Sequence, residues 1–131
     1  MILLDTCAIV WDALEPKKIT AKAKKAIDDA DKQNALMISD ISIWEISMLV
    51  KRGRIEIDTT PAYFVNLYLQ ARNISVKSIS PEVAELSVSF GDEISNDPAD
   101  RLIAATAIIN NARLVTADVN LGDCDLIDTL W

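Results

Sequence analysis

Short apolar runs recur along this chain with helix-length segments between them, and that alternation restricts the fold more than any other feature. Residues 2–4, 36–39, 74–79 and 113–116 read as strands, with a last short one over 125–127;. Helices are predicted over about 7–14, from a Thr20 cap to about Lys32, and from a Ser42 cap to about Arg52;. Three more open at Thr60-Pro61, Ser80-Pro81 and Asp97-Pro98, where proline suits the first helical turn, and run to about Arg72, Phe90 and Asn110;. Glu15-Pro16 breaks the first helix and Gly53 closes the third;. Parallel strands need such crossovers, so the expected class is α/β: a mainly parallel sheet of four to five strands with helices on both sides.

Four acidic residues sit where folding alone seldom places a carboxylate: Asp5, Glu45, Asp100 and Asp118;. Asp5 and Asp118 close apolar strand runs, at the sheet edge where ligands of open α/β folds gather;. Taken singly, Asp5 reads equally well as a helix cap and Asp118 as a turn residue. Glu45 is the one charge on a helix face shared by Ile41, Trp44, Met48 and Leu49, which calls for a partner such as Arg101 or a cation;. Asp97 suffices as the cap of its helix, and Asp100 could complete that cap or point to the sheet edge;. Like charges about 4 Å apart repel by on the order of 4 kcal/mol at an effective dielectric of about 20. Such a cluster therefore needs something positive, and one or two Mg²⁺ or Mn²⁺ ions with oxygen ligands would serve. Ions of this kind can activate water and stabilise the leaving oxygen of a phosphodiester.

Composition narrows the chemistry. At 131 residues, half of them hydrophobic and a quarter charged, the chain has the size of one domain spanning 1–131;. It contains no histidine, which removes Ser-His-Asp and Cys-His catalysis;. Its two cysteines, Cys7 and Cys124, form no CxxC pair, so reduced thiols are expected rather than a zinc site or a disulfide;. No run approaches the roughly 18 apolar residues of a membrane span, and Met-Ile-Leu-Leu-Asp is unlike a leader;. A cytoplasmic location is expected. The net charge of −7 argues against a broadly basic nucleic-acid surface;. Positive charge is local, around Lys17 to Lys25 and at Lys51, Arg52 and Arg54.

With these residues in view, the chain resembles the PIN-domain family, in particular VapC-type toxins of toxin–antitoxin pairs. Met-Ile-Leu-Leu-Asp-Thr resembles the first strand and acid, and Ser39 to Ile46 the helix of the second. Asp97-Pro98-Ala99-Asp100-Arg101-Leu102 resembles the third and is the most specific stretch; Leu114 to Asp118 resembles the fourth. The resemblance implies a three-layer α/β/α fold and a Mg²⁺- or Mn²⁺-dependent endoribonuclease using Asp5, Glu45, Asp100 and Asp118. It further implies an RNA substrate, a cognate antitoxin and a homodimer. Cys7 departs from the Asn, Ser or His usual after Asp-Thr, and Thr6 and Thr116 offer hydroxyls near the acids. RNA contacts would fall to Lys51, Arg52, Arg54 or Arg101. The alternatives are a PIN-like scaffold that acts by binding a protein, and an aspartyl-phosphate phosphotransfer domain. The latter is disfavoured, because Cys7 stands where dehalogenase-like enzymes carry a second acid and no lysine follows the late strand.

Overall fold

A computed structural model describes residues 1–131. Five strands, β1 (Ile2–Leu4), β2 (Leu36–Ser39), β3 (Ile74–Lys77), β4 (Arg113–Val115) and β5 (Thr129–Leu130), form one sheet in the order β3-β2-β1-β4-β5. Every pairing is parallel. Seven helices accompany it: α1 (Thr6–Leu14), α2 (Ala21–Lys32), α3 (Asp40–Lys51), α4 (Pro61–Ala71), α5 (Pro81–Ser89), α6 (Pro98–Ile109) and α7 (Val119–Gly122). A short 3₁₀ turn over Pro16–Lys18 follows the break at Glu15-Pro16.

Strand alternation sorts the core into two layers. Ile2, Leu4, Leu36, Ile38 and Val115 point into one cluster with residues of α1, α2 and α4, while Leu3, Met37 and Leu114 point into the other with α6;. Both faces of β1 are therefore covered, as the three-letter apolar run Ile2-Leu3-Leu4 requires;. Three helices hand the chain on through left-handed residues: Asn34, Gly53 and Asn111, at φ of 54°, 69° and 50°. At Gly53 the amide of Arg54 bonds Leu49 and that of Gly53 bonds Val50, the paired closure that left-handed caps permit;.

The order places β1 between β2 and β4, so the direction of winding reverses beside β1. A crevice opens at such a switch point, at the carboxyl ends of the strands. Asp5 follows β1 and Asp118 follows β4 closely, which delivers both acids to that crevice. The order also differs from the 2-1-3-4-5 arrangement of receiver-like domains;.

Three local expectations are corrected. The cap of α3 is Ser39, whose hydroxyl accepts from the Ile41 amide at 3.3 Å; Ser42 lies inside the helix, fully buried. The Ser-x-x-Glu spacing of Ser42 and Glu45 imitates a capping box but places both on one helix face instead. β3 stops at Lys77, because the Ile79 amide turns to Asp40 at 3.2 Å instead of a neighbouring strand. The last strand is Thr129–Leu130, not 125–127. Ile127 is buried by packing in the α6-side cluster, and the ladder begins only where Leu114 bonds the Asp128 carbonyl.

Candidate active site

Asp5, Glu45, Asp100 and Asp118 line one cleft of about 340 Å³, together with Thr6, Cys7 and Trp11. None of the four takes part in an ion pair; the basic residues that do pair bind Asp12, Glu15, Asp28, Asp29, Asp31 and Asp128. Arg101, weighed as a partner for Glu45, is occupied elsewhere. Its guanidinium donates to the carbonyls of Ser95 and Phe90 at 2.8 and 2.7 Å and of Gly91 at 2.9 Å.

Each acid is held by neighbours that leave lone pairs free. Asp5 is 8% exposed; its Oδ1 accepts from the Thr6 amide at 2.8 Å and its Oδ2 from the Thr116 hydroxyl at 2.7 Å. Thr116 in turn accepts from the Asp118 amide at 3.0 Å, tying the ends of β1 and β4 together. The Thr6 hydroxyl donates to Glu45 Oε1 at 2.5 Å and lies 2.9 Å from the Ser42 hydroxyl. Ser95 donates to Asp100 Oδ2 at 2.9 Å. Asp118, read from sequence as a turn residue, also caps a short helix that the sequence reading did not include, accepting from the Asn120 and Leu121 amides at the start of α7.

The electrostatics are those of crowded, partly desolvated acids. Burial raises Asp5 above the usual carboxylate range, opposed by its Thr116 and Thr6 hydrogen bonds and reinforced by the charges of Asp118 and Asp97;. Glu45 is raised by burial, drawn back by Thr6, and raised further by Asp5, Asp97 and Asp100. Asp100 is pushed up to about 6, chiefly by burial, against the Ser95 hydrogen bond and with Asp97, Asp5 and Asp118 adding to it. The Cys7 thiol is raised by burial and by the same four acids, so it faces this cleft as a neutral group;.

No group of three acidic or thiol side chains is gathered tightly enough to hold an ion by itself. An all-oxygen donor set of this kind suits Mg²⁺ or Mn²⁺, which retain several waters and take only one or two carboxylates directly. The residues therefore fit a hydrated hard cation and do not fit a closed protein cage.

Sequence reasoning missed three contributors. Ser42 had a signal, its three-residue spacing from Glu45. Asp97 was recognised as the cap of α6, which it is, accepting from the Ala99 amide at 2.9 Å, yet its charge also acts on three of the acids. Ser95 had no signal, since only the folded 90–97 loop brings it to Asp100. The face around Glu45 also differs from expectation. Trp44 is 57% exposed and Ile41, Met48 and Leu49 are only half-buried, while α3 turns Ser42 and Ile46 inward.

The sequence matches the PIN domain family over residues 2–125. It is 37% identical over 122 residues to Ribonuclease VapC22 of Mycobacterium tuberculosis, spanning 92% of this chain and 88% of that protein. Its fold superimposes on VapBC2 from Rickettsia felis bound to a DNA fragment from their promoter, with a TM-score of 0.74, 21% identity, and coverage of 99% and 98% of the two chains. A toxin–antitoxin complex from Klebsiella pneumoniae gives a TM-score of 0.67, 21% identity, and coverage of 100% and 97%. The chain belongs to the PIN-domain family and is similar to its VapC-type members.

Proposed function

We propose that this protein is a Mg²⁺- or Mn²⁺-dependent endoribonuclease and the toxin of a toxin–antitoxin pair. The observation that carries the reading is the convergence of Asp5, Glu45, Asp100 and Asp118 on one cleft with no basic partner for any of them. The relative described as a ribonuclease supports the activity, and the fold shared with toxin–antitoxin complexes supports the partner. A divalent cation bound here would supply water activation and stabilisation of charge on the scissile phosphate.

The chain's own residues prepare the site. Thr116 and the Thr6 amide fix the Asp5 carboxylate, and Thr6 also fixes Glu45, so two acids far apart in sequence share one orienting residue. Ser95 fixes the Asp100 carboxylate. With no histidine in the chain, proton transfer falls to the carboxylates and to solvent;. A cytoplasmic location, binding by a cognate antitoxin and assembly as a homodimer complete the proposal; no helix is long and apolar enough to cross a membrane.

RNA cleavage assayed with Mn²⁺ and with chelator tests the reading. Asp5→Asn and Asp100→Asn should remain folded by circular dichroism and lose nearly all cleavage, with Mn²⁺ binding by calorimetry weakened in parallel. Metal-dependent cleavage undiminished in both variants refutes the assignment.

A further inference from the structure

The exposed ring of Trp44 has no structural explanation in the fold. It is 57% exposed on α3, one residue before Glu45. A large aromatic left in water forgoes the burial that normally stabilises it, which makes such a ring a candidate contact surface. Trp44 lines a second cleft of about 470 Å³, whose walls include Glu45, Arg52 and Asp97. Glu45 lines both clefts, so this one adjoins the acidic site.

Arg52 stands about two helical turns beyond Glu45, roughly 10 Å along α3. It is exposed and forms no ion pair, and neither do its neighbours Lys51 and Arg54. In a chain of net charge −7, three unpaired cations at the end of one helix, beside an acidic cleft, give local attraction for a phosphate against the overall negative charge;. An aromatic plane, a free guanidinium and a carboxylate able to accept from base N–H groups are the three elements by which proteins hold unpaired nucleotides.

We infer that the cleft of Trp44, Arg52 and Asp97 is a nucleotide subsite: it stacks one base of single-stranded RNA on Trp44 and grips the adjoining phosphate with Arg52, next to the bond presented to Asp5 and Glu45. The inference rests on the ribonuclease reading and adds the strand geometry of its substrate. Of the four basic residues expected to contact RNA it leaves Lys51, Arg52 and Arg54, since the guanidinium of Arg101 is committed to backbone carbonyls.

The test compares a short oligoadenylate RNA with an abasic ribose–phosphate chain of equal length, bound in Ca²⁺ and followed by tryptophan fluorescence and by anisotropy of an end label. The wild type should prefer the base-bearing chain by about tenfold, the value of one stacked base. Trp44→Ala should abolish that preference, Trp44→Phe should keep most of it, and Arg52→Gln should weaken both chains alike. A preference unchanged in Trp44→Ala, or no binding of either chain by the wild type, overturns the subsite. So does a tryptophan emission shift that tracks protein concentration without RNA and is lost in Trp44→Phe, because a second copy then covers the ring. The two readings fail separately: absent Mn²⁺-dependent cleavage sinks the nuclease, whereas cleavage without a Trp44-dependent base preference sinks only the subsite.

Discussion

Asp100→Asn should make the protein more stable at neutral pH, and the size of the gain follows from the site. The carboxyl titrates near 6 in the folded chain against an ordinary 3.8, with burial as the main cause. A gap of roughly 2 pH units corresponds to about 3 kcal/mol. Because the group is only half-buried, solvent screening reduces this to about 1–1.5 kcal/mol. The sign is set by proton counting. Between pH 3.8 and about 6 the folded state binds more protons than the unfolded one, so stability falls as pH rises through that window and stays low above it;. An amide does not ionise, keeps the Ser95 hydrogen bond, and removes one charge acting on Glu45. Urea denaturation in chelator should show the variant about 1–1.5 kcal/mol more stable at pH 8, a rise in Tm of roughly 3–5 °C, with the curves converging below pH 4. Saturating Mn²⁺ should reverse the order, since an ion at about 100 times its Kd adds about 2.7 kcal/mol to the form that binds it. A variant no more stable than the wild type at pH 8 in chelator would refute the claim that Asp100 is a strained, unpaired acid.

Thr116→Val strips a donor from buried Asp5 and should lower RNA cleavage by about 10–100-fold and stability by about 1–3 kcal/mol, with Thr116→Ser restoring most of both; parallel cleavage and denaturation curves decide it. Arg101→Lys should destabilise the fold by about 2 kcal/mol or more, because an ammonium cannot serve carbonyls spread over Phe90, Gly91 and Ser95 as the planar fork does;. Hydrogen exchange should then rise first in residues 90–97. Arg72→Ala should cost about 3–5 kcal/mol, since it leaves the charge of Asp12, whose side chain is 6% exposed, with only the Tyr68 hydroxyl, and releases Asp28 and Asp31;. Its effect on cleavage per folded molecule should be small, as that cluster lies apart from the acidic cleft.

The sheet was legible because its evidence is local and repeated. Ile2-Leu3-Leu4, buried on both faces, allows few places other than the middle of a parallel sheet, and Thr-Pro, Ser-Pro and Asp-Pro mark three helix starts that the structure keeps at Thr60, Ser80 and Asp97;. That four acids converge was legible for a related reason: Asp5 and Asp118 close apolar strands, Glu45 interrupts an apolar helical stripe, and Asp100 opens a helix beside the same sheet edge. What stayed hidden depends on tertiary contact. Ser42 read as a cap because Ser at a helix start is ordinary, and only the meeting of α1 with α3 shows it facing Thr6. The apolar face assigned around Glu45 was a correct period with the wrong destination, since period alone does not say whether a stripe meets a core or borders a groove. Arg101 was offered as a partner for Glu45 on charge alone, before the loop that claims it could be seen.

Arg101 explains how acids so near a cation remain unpaired. It follows Asp100 directly, but successive helical residues diverge by about 100°, so the guanidinium leaves in a different direction from the carboxylate and meets the backbone of Ser95 where Asp100 meets its hydroxyl. There it meets the carbonyls that end α5 and line the 90–95 loop, groups that would otherwise lack donors;. The same loop then presents Ser95 to Asp100 and Asp97 to the start of α6. One positive charge is thereby spent on backbone dipoles, where it orders the loop that holds Asp100 without pairing with the acid. A salt bridge from Arg101 to Asp100 would have lowered that carboxyl and stabilised the free protein, and it would also have put a competitor where a cation is proposed to bind. The fold forgoes that stability, and the raised carboxyls of Asp5, Glu45 and Asp100 are the measure of what it keeps open;.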